Sequence, residues 1–260
     1  MLVTGIRATA IWIALALAGP ALPAMADART ARPAPAAELE TQEKADAAQP
    51  AADAKADPAE APSDDVAQLT RWVIASGDNH GQPFIVVDKV AARVFVHDGE
   101  GKLVGSTPAL LGVTPGDDSV PGVGDRELSE IKPEDRTTPA GRFVAKFGKA
   151  RYGRKVLWVD YATSISLHPV ITTRKKERRL QRLRSATPED NRITYGCINV
   201  PTAFYAKVVR PAFTGTAGIV YILPETRPLK AVFLAFRPMA EPSLTAEASP
   251  VPAPPIAAAK

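Results

Sequence analysis

The chain has 260 residues, a formal net charge of +4, three histidines and one cysteine, enough for one ordinary domain with tails. A single cysteine excludes an internal disulfide framework, and one cysteine with three scattered histidines lacks the close ligand spacing of a metal site. The charge is uneven: an acidic stretch comes first, and a dense basic run, TRKKERRLQRLR at residues 173–184, follows much later.

In chain order, residues 1–26 have the pattern of a secretory signal peptide. Arg7 precedes an apolar run ending near Ala18, and small residues around Ala24-Met25-Ala26 place cleavage before Asp27. That run is shorter than the roughly 20 apolar residues a bilayer span needs. The expectation is export without a stable membrane span, into a periplasm where thiols tend to oxidise. Residues 27–65 are dominated by Ala, Pro, Asp and Glu, with too few large apolar side chains to offset the entropy of ordering, which predicts a disordered tether. Residues 238–260 have the same character and are expected to form a disordered tail. Residues 66–237 remain as one folded domain, long enough for a substantial core.

Within that domain, VAQLTRWVIAS at residues 66–76 carries Val66, Leu69, Val73 and Ile74 at helical spacing, and Gly77 ends it. FIVVD (84–88) and RVFVHD (93–98) are β-branched and aromatic runs a few residues apart, which predicts a hairpin. Further strand-like runs are KLVGSTPALLG, GRFVAKFG, KVLWVDY, TSISLH, GIVYILP and AVFLAF. Residues 114–139, crowded with Gly, Pro and Asp, predict a long irregular loop. Many strands with one or two helices make the domain mainly β. The basic run is either a solvated helix face or an attraction for an anionic cell-envelope polymer. Nucleic acid is discounted as a partner, because an exported protein rarely meets any and no aromatics are interleaved for base stacking.

Two stretches bear chemistry. Period-2 alternation in TSISLH sends Ile165 and Leu167 to one face and Ser164, Ser166 and His168 to the other, with Pro169 stopping the ladder. In ITYGCINVP the lone Cys197 follows Gly196 and precedes NVPTAFYAKVVRP, where Pro201 suits a first helical turn and Phe204, Tyr205, Val208 and Val209 form an apolar face. Cys197 is therefore expected just before a helix N-terminus, where the unpaired amides favour the thiolate. A neighbouring imidazole would take the proton, and of His80, His97 and His168 the last is favoured by its place at the polar end of a strand. Backbone amides of Gly196, Cys197 and Tyr195 would be oxyanion donors. The bland alternative stays open at this level: a lone cysteine before an apolar helix also fits a packed core residue.

Thr194-Tyr195-Gly196-Cys197-Ile198-Asn199 resembles the [Ser/Thr]-x-Gly-Cys-x-[Asn/Arg] signature of the L,D-transpeptidases, the YkuD-type catalytic domain of bacterial cell-wall enzymes. The hairpin at 84–98, Thr138-Pro-Ala-Gly-Arg-Phe143 and Ser166-Leu-His168 resemble that family's segments in the same order. The resemblance implies a β-sandwich-like fold with few short helices, Cys197 as nucleophile and His168 as proton acceptor, Gly196 and Tyr195 at the oxyanion hole, and Thr194 and Asn199 at the substrate. It implies peptidoglycan stem peptides as partners, with a wall-attached lipoprotein as a further acceptor, and no metal or organic cofactor. Tyr195 stands where a histidine is common in the family, and Pro169 follows His168 in place of a small residue. The span from His168 to Thr194 is also longer than usual, and its basic run is expected to form a short helical lid over the cysteine. Two rivals remain: a peptidoglycan hydrolase using the same cysteine, such as an L,D-carboxypeptidase or endopeptidase, and a catalytically inactive wall-binding domain.

Overall fold

The computed structural model describes residues 61–150 and 153–238. The signal peptide, most of the predicted tether and nearly all of the predicted tail lie outside the described residues. Among the described residues no helix is long and apolar enough to cross a membrane.

Helix α1 (Asp64–Ser76) starts two residues earlier than its apolar pattern, because Ser63 caps it by accepting from the Val66 amide and Asp64 and Asp65 sit at the positive end of the dipole. Gly77, at φ +67°, turns its amide back onto the carbonyls of Ile74 and Val73 and ends the helix. Strands β1 (Phe84–Asp88) and β2 (Arg93–His97) pair antiparallel, Phe84 opposite His97 and Asp88 opposite Arg93. The predicted hairpin is present, and β1 is buried on both faces. Ile85 and Val87 enter the main core, whereas Phe84 and Val86 enter a second cluster with Leu69, Trp72 and Val73 of α1.

Strands β3 (Leu103–Pro108), β4 (Leu111–Gly112), β5 (Gly141–Lys149), β6 (Lys155–Asp160), β7 (Ile165–Pro169), β8 (Arg192–Thr194), β9 (Ile198–Val200) and β10 (Gly218–Ile222) complete the β structure. Of the ten strands among the described residues, eight form one mixed sheet in the order β3-β2-β1-β10-β5-β6-β7-β9, while β4 and β8 pair separately. Strand β5 joins the two halves: residues 141–145 pair with β10 and residues 146–149 with β6. Ile85, Val94 and Val220 from one half and Leu157, Leu167 and Ile198 from the other fill a common core, the sandwich-like arrangement expected of a mainly β domain. At the far edge β7 and β9 run parallel, with Leu167 opposite Ile198 and His168 opposite Asn199.

Two sequence expectations are corrected. AVFLAF is not a strand; Leu229–Val232 is a short helix followed by a turn, which places Leu229, Phe233 and Phe236 together against Trp72 and Tyr221. An apolar run that short fits either period. The helix predicted directly after Cys197 begins only at Thr202, because Ile198, Asn199 and Val200 are captured as strand β9 by the open edge of β7. Helical residues 202–213 bury Phe204, Tyr205, Val209 and Phe213, with a π turn over Tyr205–Val209 ahead of Pro211, which has no N–H for the carbonyl of Lys207. Helix-dipole assistance fades within one turn, so it does not reach the thiol.

The basic run holds a 3-10 turn at Lys175–Glu177 and helix α2 (Arg179–Leu183). Leu183 anchors it by packing with Leu110 and Val170.

Candidate active site

Cys197 lies in the three-residue connection between β8 and β9, and hydroxyl groups hold that connection in place. Thr194 Oγ1 donates to the carbonyl of Cys197 (2.7 Å) and accepts from the amide of Gly196 (3.1 Å). The carbonyl of Gly196 accepts from Thr138 Oγ1 (2.8 Å), which itself accepts from the amide of Gly112 (2.9 Å). Gly196 has φ +121°, and a Cβ there would stand 2.7 Å from both the Thr137 carbonyl and Ile165 Cδ1. Only glycine lets the chain pass at this point.

Behind Thr138 lies a buried ionic network. Lys89, fully buried, donates to the Thr138 carbonyl (3.1 Å) and pairs with Asp117 (2.8 Å) and Glu225 (3.4 Å); Arg192 pairs with Glu225 in turn. Burial pulls the Asp117 carboxyl upward, but hydrogen bonds from Lys89, Thr226 and the amides of Glu225 and Thr226 outweigh it and hold the group well below the usual carboxylate range. This network pins the loop at residues 114–139 beneath the connection that carries Cys197. Arg136 of the same loop lies 4.0 Å from the centre of the Tyr195 ring, a cation–π contact that fixes the aromatic side chain beside Gly196.

The thiol is partly exposed. Its Sγ lies 3.6 Å from Ser166 Oγ and 3.7 Å from the carbonyl of Ser164, the residue that enters β7 with φ +57°. Ser166 and His168 share one face of β7, as the alternation predicted. Nδ1 of His168 lies 2.8 Å from the Pro169 carbonyl, and Nε2 lies 3.1 Å from Nδ2 of Asn199. A carbonyl only accepts and an amide nitrogen only donates, so Nδ1 carries the proton and Nε2 the lone pair. Burial pushes the imidazole down to about 4; the Pro169 bond opposes this, and the charges of Arg154 and Arg179 add to it. At neutral pH the ring is an uncharged base.

The structure thus gathers Cys197, His168, Thr194, Tyr195, Gly196 and Asn199 at one sheet edge, in roles that differ among them. Thr194 and Asn199 are buried; the first shapes the loop and the second addresses the imidazole. The amide of Gly196, expected as an oxyanion donor, is bonded to Thr194 Oγ1. Among the described residues the partners of Sγ are Ser166 and Ser164 and those of the ring are Pro169 and Asn199, so thiol and imidazole are neighbours one pleat apart and not hydrogen bonded to each other. Such bonds commonly close only with substrate in place. The other histidines are elsewhere: His97 is buried in β2 against Phe84, and His80 is exposed in the turn after α1. Sequence reasoning missed Thr138 and Arg179 as parts of the site, although both stood in stretches it had singled out. Among the described residues no cluster of three or more His, Cys, Asp or Glu side chains could hold a metal ion.

No family model matches the chain, and no curated protein matches it in sequence. Solved L,D-transpeptidase structures do resemble it. The catalytic domain from the E. faecium L,D-transpeptidase is similar at 16% identity, over 55% of this chain and 98% of that domain, with a TM-score of 0.33. An L,D-transpeptidase from Mycobacterium smegmatis is similar at 16% identity, with a TM-score of 0.33, over 55% of this chain and 58% of that one. Mycobacterium tuberculosis L,D-transpeptidase 1 is similar at 15% identity, over 54% of this chain and 61% of that one, with a TM-score of 0.30.

Proposed function

We propose that this chain is an exported, periplasmic cysteine acyltransferase of the L,D-transpeptidase type, acting on peptidoglycan stem peptides. One observation carries the reading: an accessible lone thiol lies beside Ser166, on the strand face that also presents an imidazole with its lone pair fixed on Nε2. A packed structural cysteine needs neither a position before it that admits only glycine nor a neutral imidazole two positions from its nearest hydroxyl. The Thr194–Asn199 signature supplies the substrate class.

In this mechanism Nε2 takes the thiol proton while Sγ bonds to the carbonyl carbon between the L-centre of a diamino acid and the terminal D-Ala. The oxyanion is met by the amides of Tyr195 and Cys197. As the C–N bond breaks, the imidazolium returns its proton to the departing amine, and D-Ala leaves a thioester on Cys197. An amine of a second stem peptide then attacks the thioester carbon, gives its proton to Nε2, and expels the thiolate, which takes that proton back. The product is a cross-link between two stems.

Incubating the protein with purified disaccharide tetrapeptides tests this. Dimers lacking one D-Ala, together with a Cys197 thioester in the intact mass, are the expected outcome. Tripeptides alone would replace transfer with hydrolysis. Equal turnover by Cys197→Ser would overturn the nucleophile assignment.

A further inference from the structure

The basic run reaches the site through one side chain. Arg179, the first residue of α2, places Nε 2.6 Å from Glu177 Oε2 and Nη1 2.7 Å from Asn199 Oδ1, and its side chain is 12% exposed. A guanidinium has donors and no acceptor, so the Asn199 atom it faces has to be the oxygen. The nitrogen of that amide is then the atom turned toward Nε2 of His168. Asn199 has no freedom to move off as a whole, since it is fully buried and its backbone bonds to Leu110 in both directions, at 2.8 and 2.9 Å. What it could do is turn its amide over, and Arg179 prevents that.

We propose that Arg179 is a positioning residue for the proton acceptor: by turning Nδ2 of Asn199 toward Nε2 it holds His168 in the Nδ1–H tautomer, whose Nε2 lone pair Asn199 occupies at rest and yields when the thiol of Cys197 delivers its proton. Without the guanidinium, Asn199 can present Oδ1 to Nε2 and favour the opposite tautomer, whose Nε2–H cannot accept a proton. The Pro169 carbonyl still pulls toward Nδ1–H, so the ring becomes a mixture. The charged groups facing the ring are Arg154 and Arg179, so removing one of them also makes the imidazole easier to protonate. In this view the long insertion is an orienting arm for the base. The proposal rests on the reading of Cys197 and His168 as the reacting pair, and adds a residue that the family signature does not contain.

The test compares wild type with Arg179→Met, Arg179→Lys and, as a charge control on the same insertion, Lys176→Met. Long-range 1H–15N spectra report the His168 tautomer directly, and the rate of Cys197 alkylation by iodoacetamide is followed against pH. Wild type is expected to hold Nδ1–H. Arg179→Met should show both tautomers, a ring titration midpoint moved up from about 4, and alkylation at neutral pH slowed about tenfold, a part of the roughly 100- to 10,000-fold a positioned base is worth. Arg179→Lys, which still donates to Oδ1, should restore the single tautomer and most of the rate, and Lys176→Met should match wild type. A wild-type tautomer and rate in folded Arg179→Met overturn the proposal. So does a change shared equally by Lys176→Met, which would make the effect one of net charge. If Cys197 alkylates as fast in His168→Ala as in wild type, the nucleophile reading fails instead, and the spectra of the Arg179 variants still decide the orienting role.

Discussion

His97 and His168 share a low proton affinity and nothing else. Burial is the first cause in each case and pushes both rings down to about 4. His97 lies flat on Phe84, ring centres 4.6 Å apart, and its Nδ1 has no hydrogen-bond partner among the described residues. His168 has a partner at each nitrogen, and each partner dictates the same tautomer. Apolar surroundings are enough to make an imidazole neutral. Making it a base with its lone pair at a known atom takes a carbonyl on one side and an oriented amide on the other.

The sharpest way to break this contrast is to remove each ring. His168→Ala should lower Cys197 acylation by roughly 100- to 10,000-fold, the range for a positioned base, while leaving the fold intact. His97→Phe should leave the acylation rate within about twofold and cost no stability, since it replaces a buried ring nitrogen lacking a partner with carbon. Acylation kinetics and thermal melts on both variants decide it. Comparable loss of rate in the two would mean that burial, and not orientation, is what matters.

The next effect is on stability against pH. In the unfolded chain each ring titrates near 6.5, and in the fold near 4. Between those values the unfolded state binds more protons, so stability is full above about 6.5 and falls as pH drops toward 4. Each unit between the two midpoints corresponds to ~1.4 kcal/mol, so His97 alone contributes on the order of 3 kcal/mol to this loss. Urea denaturation of wild type and His97→Phe at pH 7 and pH 4.5 should show the loss and its partial rescue. An equal loss in both proteins would assign the pH dependence to other groups.

The strand alternation of TSISLH by itself places Ser166 and His168 on one face, and the glycine ahead of Cys197 announces a tight passage. Those features are local, and local pattern carries them. The partners that orient the site are not local. Arg179 meets Asn199, and Thr138 meets Gly196, only because β7 and β9 lie side by side and the loop at 114–139 folds beneath them. The strand between the cysteine and its helix has the same origin: Pro201 marks the first turn, but the open edge of β7 pairs with Ile198, Asn199 and Val200 and so separates Cys197 from the helix. AVFLAF was ambiguous for a different reason, being too short for its period to separate strand from helix.

Thr138 extends the contrast from the imidazole to the cysteine loop, and with the smallest expected effect. Its hydroxyl accepts a hydrogen bond from the Gly112 amide and donates one to the Gly196 carbonyl, so it holds the cysteine loop by direction and not by bulk. Thr138→Val keeps the shape and deletes both bonds, leaving a buried N–H and a buried carbonyl without a partner; the expected cost is ~1–3 kcal/mol of stability. Gly196 is then free to drift, and acylation should slow with it. Thr138→Ser retains both bonds while losing a methyl group, so it should recover the rate while keeping a small packing penalty of ~1 kcal/mol. Denaturation curves and acylation rates for the pair separate the two contributions. If serine behaves like valine, the methyl group and its packing hold the loop, and the hydroxyl bridge is incidental.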